Sequence, residues 1–124
     1  MKLTEKAVLL PDEDVARIVH EACRAYQNVL ADSYPAGPWD ALDSWRRETV
    51  ITQVKMIRMG LSPEVIQDAW VRRIESSGWT WGITKDPMAM THPGLVPWES
   101  LPPEDKKKVM LAFRIVYVLD FEGE

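Results

Sequence analysis

Ser62-Pro63-Glu64-Val65-Ile66-Gln67-Asp68-Ala69-Trp70-Val71-Arg72-Arg73-Ile74-Glu75-Ser76-Ser77-Gly78 carries both the start and the stop of one helix. Ser62 is suited to cap the free N–H groups, and Pro63 suits the first helical position, where its missing N–H costs nothing. Gly78 ends the helix after about Ser77. Ile66, Ala69, Trp70 and Arg73 share one face. Upstream, a second helix is expected from near Asp43 to Gly60, a residue suited to a left-handed C-terminal cap, with Trp45, Val50, Ile51, Val54 and Ile57 inward. Still earlier, Val15, Ile18, Val19, Ala22 and Tyr26, continuing to Val29 and Leu30, trace one helical face from Asp12 to about Ala31. Asp12 is placed to cap that helix, with Glu13 and Asp14 at the positive end of its dipole.

Between these two helices, Asp32-Ser33-Tyr34-Pro35-Ala36-Gly37-Pro38 reads as a loop. Downstream of Gly78 no helical period survives as far as Leu101, and prolines at 87, 93 and 97 preclude a long strand. An irregular, ordered loop or a short β-hairpin is expected there. A last helix begins around Pro102-Pro103-Glu104, carries Val109, Ala112, Phe113 and Val116 on one stripe, and ends near Asp120. The fold class is therefore mainly α: a compact four-helix domain with a folded loop between the third and last helices. One domain covers residues 1–124, with its core at about 12–120.

With 124 residues the chain has room for one independent core and no second domain. The 46% hydrophobic and 27% charged content is that of a soluble globular protein, and no run of about 18 apolar residues is present to cross a bilayer. The apolar run within Met1–Leu10 is too short for a signal-peptide core, so the expected location is cytoplasmic. A formal net charge of −4 argues against general nucleic-acid binding but leaves room for a small anion held by a local pair of cations.

Catalytic patterns are missing. His20-Glu21 lacks the second histidine one turn on that a zinc peptidase helix needs, and His20 reads as a structural histidine bonded to backbone. Arg24 has the same structural reading open to it. Cys23, the only cysteine, has no activator in the sequence and no disulfide partner. No glycine-rich phosphate loop, serine elbow or metal-spaced carboxylate set occurs, so no enzymatic activity, metal or cofactor is expected.

Gly78-Trp79-Thr80-Trp81-Gly82 is different, because it sets two indoles between two glycines outside any regular period. The glycines permit a sharp turn or a close approach, and an indole offers a flat stacking face. Two readings compete: the indoles plug a small core, which pattern alone favours, or they stack a planar ligand. Trp98, Lys85 and His92 lie in or beside the same irregular segment, and loops are where binding groups concentrate. Trp70 and Trp45 read as core, Trp39 as ambiguous, and Lys106-Lys107-Lys108 as a solvated face, with a phosphate-facing role as the lesser alternative.

Together these residues resemble the ryanodine receptor repeat, or RyR domain, over about Val15 to Leu119. The likeness is carried by His20-Glu21-Ala22-x-Arg24-Ala25-Tyr26, Trp39, Trp45, Ser62-Pro63-Glu64, Trp70, Gly78-Trp79-x-Trp81-Gly82, Lys85-Asp86, His92-Pro93, Leu95-Val96-Pro97-Trp98 and Leu101-Pro102-Pro103. Trp81 and Trp98 stand where the family often has Tyr, and Gly94 where it commonly has Cys. The resemblance implies a mainly helical, non-enzymatic module of a kind found singly in bacterial and phage proteins. It further implies pairing as a homodimer and binding of a nucleotide-derived small molecule, either an adenine nucleotide or an ADP-ribose-like ligand. Trp79 would then stack on the base, helped by Trp81 or Trp98, while Arg24, Lys85 and His92 would contact phosphate or ribose. The competing reading is a protein-interaction module without a small-molecule ligand.

Overall fold

The computed structural model describes residues 9–121, and most of the N-terminal run weighed as a leader lies outside the described residues. Four helices dominate: α1 (Asp12–Val29), α2 (Ser44–Arg58), α3 (Pro63–Ser76) and α4 (Pro103–Asp120). Short 3₁₀ turns occupy Trp39–Ala41 and Trp98–Ser100, and two-residue strands β1 (Thr80–Trp81) and β2 (Thr91–His92) lie between α3 and α4. The mainly helical, four-helix expectation is met. The connection is an irregular loop, as expected, with two short pairings: β1 and β2 pair in parallel, Thr80 with Thr91 and Trp81 with His92, and Asp86 makes an antiparallel bridge to Thr91.

Helix α1 packs against both α2 and α4, and α3 packs against α2 and the Trp98–Ser100 turn. The main core gathers Val15, Ala16 and Val19 of α1, Val54 of α2, Ala112 and Val116 of α4, and Trp39. Trp39 is the largest fully buried side chain, at 1% exposure, which resolves its ambiguity in favour of packing. Ile66, Leu95 and Leu101 are buried separately, where α3 meets the connection.

The helix boundaries follow local chemistry. Asp43 caps α2 by accepting from Arg46 N, and Ser62 caps α3 by accepting from Val65 N, with Pro63 in the first turn. Gly60 and Gly78 take φ values of 83° and 100° after their helices, as left-handed terminators do. At α1 the N-cap is Pro11, not Asp12; Asp12 lies inside the first turn and its carboxylate instead pairs with Arg58 at 2.8 Å. The inward face of α1 also differs from its apolar stripe. Ile18, Val29 and Leu30 are exposed, while Ala16, His20 and Gln27 are buried. The two polar residues are buried because backbone groups of the following loop satisfy them. Trp45, expected in the core, is 37% exposed and lies 4.5 Å beneath the Arg73 guanidinium.

The glycines of the Trp motif have separate structural duties. Gly78 turns the chain out of α3, whereas a Cβ at Gly82 would lie 2.6 Å from Thr91 Cβ. Gly82 is thus where the chain must approach β2 more closely than any side chain permits.

Candidate functional site

The site begins with the polar face of α1. His20 Nε2 donates to Gly37 O at 2.7 Å, and Arg24 Nε donates to Ala36 O at 3.0 Å. Gln27 Oε1 accepts from Ala36 N at 2.9 Å, and Glu21 Oε2 accepts from Trp39 N at 2.8 Å while its other oxygen binds Arg24. Glu21 is held below the usual carboxyl range first by that Trp39 N–H and next by Arg24. Consecutive turns of one helix therefore clamp the proline-rich loop. The His20-Glu21 pair thus serves to hold the loop.

Lys85 fastens the same loop from the other side. Its ammonium donates to Tyr34 O at 2.7 Å and lies 3.5 Å from Asp32. Burial pushes Lys85 below its ordinary range, against the pull of Asp32. Burial would raise Asp32, but the Tyr34 N–H and Lys85 outweigh it and hold the carboxyl low.

Between the clamped loop, the four helices and the connection lies a cleft of about 260 Å³. Trp70, Val19 and Leu101 give it apolar walls, and Arg24, Lys85 and Lys108 bring three cations to it. Asp105 is the one carboxylate among the lining residues. Arg24 and Lys85 already have acidic neighbours in Glu21 and Asp32. Lys108 has none within ion-pairing distance among the described residues, although its charge is felt at Asp32, Lys85 and His92. A cationic cleft in a protein of net charge −4 concentrates the attraction for an anion at one place.

His92, from β2, stands edge-on to Trp70 with ring centres 5.3 Å apart, and to Trp79 at 6.4 Å. Its Nδ1 accepts from Gly94 N at 2.8 Å, so the neutral ring carries its proton on Nε2. Burial, then the charges of Lys85 and Lys108, push its pKa down to about 4. The ring is neutral at physiological pH. Gly94 must be bare here, since a Cβ would come within 2.9 Å of the imidazole.

Of the residues expected to bind ligand, Arg24, Lys85 and His92 meet at the cleft, while Trp79, Trp81 and Trp98 are outside its lining. Trp79 is half-buried against His92, and Trp81 is 57% exposed. Trp98 lies 5.7 Å below the Lys106 ammonium. The indole in the cleft is Trp70, which hydropathy assigned to the core because it occupies the inward face of α3. Lys108 belongs to the basic run for which a solvated face outweighs a phosphate-facing role in the sequence, and Gln67 sits beside the buried Ile66. Nothing in the local sequence marks Gln67 as a lining group.

Cys23 also faces the cleft, with burial pushing its thiol above the usual range, the opposite of activation for a nucleophile. Among the described residues no cluster of three or more His, Cys, Asp or Glu is placed to hold a metal ion, and no helix is long and apolar enough to cross a membrane. No protein-family profile, curated protein or solved structure matches the chain.

Proposed function

We propose that this protein is a non-enzymatic module that binds a nucleotide-derived, anionic small molecule in the cleft between the clamped loop and the four helices. The observation that carries the proposal is the convergence of Arg24, Lys85 and Lys108 on a concave site walled by Trp70. A planar base against the indole gains roughly 1–3 kcal/mol, and each hydrogen bond from a charged group roughly 1.5–3 kcal/mol. At about 260 Å³ the cleft is at the small end for ligand sites. It suits the base and sugar of a mononucleotide, so the remainder of a larger ligand such as ADP-ribose would extend beyond the mouth.

The resemblance to the RyR repeat supports the same reading and adds pairing of two copies. In this reading Trp70 takes the stacking role first assigned to Trp79, and Trp79 supports His92 from behind. Trp81 and Trp98 contribute to the surface.

The protein-interaction alternative draws on a different observation: Trp81, Ile83 and Met88 expose 57%, 84% and 94% of their surface on one connection. The concave polar cleft favours the small molecule. Thermal-shift measurements with ATP, ADP-ribose, cyclic ADP-ribose and cyclic dinucleotides test the proposal, because a ligand bound only by the folded state raises its stability by mass action. A shift that Lys108→Ala diminishes is expected; no shift from any of them at millimolar concentration would overturn the reading.

A further inference from the structure

Gly94 is gripped from two sides, and the grip leaves two groups spare. Gln67 Nε2 donates both of its hydrogens, to Gly94 O at 3.0 Å and to Val96 O at 2.9 Å. Because only the nitrogen can donate to two carbonyls, the amide orientation is fixed and Oε1 is the atom left over. Gln67 is 4% exposed, yet no donor among the described residues reaches Oε1. Oε1 is not sealed from solvent either: the one buried, unpartnered side-chain polar atom among the described residues is Trp39 Nε1. Gln67 lines the cleft. On the other side of Gly94, its N–H fixes His92 Nδ1 as an acceptor. His92 Nε2–H is thereby a donor, also without a partner among the described residues, on a ring that lines the same cleft.

One glycine residue thus orients an acceptor and a donor, both uncharged, on two side chains that line the same cleft. Gln67 is nearly withdrawn from water and His92 is half-buried, and a ligand that spends their unused hydrogen-bonding capacity is favoured over one that does not.

We propose that Gln67 and His92 read the edge of a neutral heterocycle that presents an N–H donor beside a nitrogen or oxygen acceptor. Gln67 Oε1 takes the donor, and His92 Nε2–H gives to the acceptor. The cations at the mouth then hold the anionic part of the same molecule. This rests on the small-molecule reading of the cleft and adds what selects the ligand there.

The test varies the ligand, since any replacement of Gln67 would also release the Gly94 and Val96 carbonyls. Calorimetric titration of the full chain would compare AMP and IMP, each of which has a donor–acceptor edge, with N6,N6-dimethyl-AMP, 1-deaza-AMP, 7-deaza-AMP and ribose 5-phosphate. Loss of one uncharged hydrogen bond is expected to weaken binding about tenfold. N6,N6-dimethyl-AMP and one of the two deaza analogues should therefore bind about tenfold more weakly than AMP, and ribose 5-phosphate more weakly still. His92→Asn keeps an acceptor for the Gly94 N–H but lacks the Nε2 donor. In that variant AMP and the sensitive deaza analogue should bind alike, while the penalty on the dimethyl analogue persists. This comparison within one protein is insensitive to a general loss of stability.

Equal binding of AMP and all three base analogues overturns the edge-reading pair and leaves the small-molecule site standing. So does binding of ribose 5-phosphate as tight as that of AMP and IMP. Absence of binding by every compound at millimolar concentration overturns the edge reading and the proposed function together.

Discussion

His92 makes folding depend on pH in a window where few other groups titrate. Its pKa is about 4 in the folded chain, against an ordinary value of 6.5. The folded state therefore binds its proton less readily than the unfolded state does, and stability is complete above about pH 6.5 and falls as pH drops toward 4. Two-state linkage between these values gives a loss of about 2 kcal/mol from pH 7 to pH 5. Screening at a half-buried ring reduces the expected loss to about 1–2 kcal/mol. The structural cause is specific: protonation would set an N–H on Nδ1 against the Gly94 N–H that Nδ1 now accepts.

Urea denaturation of the wild type and His92→Asn at several pH values between 5 and 7.5 measures the effect. Asparagine can accept from Gly94 N and does not titrate, so the difference in stability between the two proteins isolates His92. Glu21, Asp32 and Asp43 have depressed carboxyl pKa values, and their contributions, lost at lower pH, cancel in that difference. The wild type should lose its advantage as pH falls. A difference that stays constant from pH 7.5 to pH 5 would refute the placement of a neutral, buried His92 against Gly94.

Three further outcomes probe the frame around the cleft. Gly82→Ala places a Cβ 2.6 Å from Thr91 Cβ, and the overpacking should cost about 1–3 kcal/mol in chemical denaturation; an unchanged midpoint would contradict the close approach of the strands. Ala31 ends α1 with a φ of 55°, so Ala31→Gly should raise stability by about 0.5–1 kcal/mol, read as a higher melting temperature. Arg58 joins Asp120 at 2.7 Å and Asp12 at 2.8 Å, tying the end of α2 to the start of α1 and the end of α4; Arg58→Met leaves two carboxylates unpaired and should cost about 2–3 kcal/mol, with partial recovery on adding Asp120→Asn.

The four helices were legible because their signals are local. Ser62, Pro63 and Gly78 bound α3 by backbone chemistry that needs no partner, and Asp43 and Gly60 do the same for α2. His20 is bonded to backbone, at Gly37 O, as its place beside the apolar stripe implies, but the burial of Gln27 was not legible, because hydropathy assigns it to solvent whereas Ala36 N supplies its hydrogen bond. Trp45 and Trp70 were misread by the same logic. Each lies on an apolar stripe, yet one ends beneath Arg73 and the other opens onto a cleft, and a stripe does not tell a neighbour from an empty space. Arg24, Lys85 and His92 are the expected binding residues that do converge, although two of them are engaged in holding the loop.

That double engagement bears on how a ligand would act. Arg24 and Lys85 hold the loop through Ala36 O and Tyr34 O while lining the cleft. An anion drawn to them competes with Glu21 and Asp32, and any weakening of those pairs is transmitted to the loop wall. Lys108, without an acidic neighbour in ion-pairing distance among the described residues, can meet an anion at no such cost. The first charge of a ligand is therefore best taken by α4, and only a second need disturb the clamp. Lys108→Ala should then weaken a mononucleotide without changing the stability of the free protein, whereas Lys85→Ala should lower both. Calorimetry and thermal denaturation on the two variants separate these effects, and equal stability losses in both would contradict the division of labour between α4 and the loop.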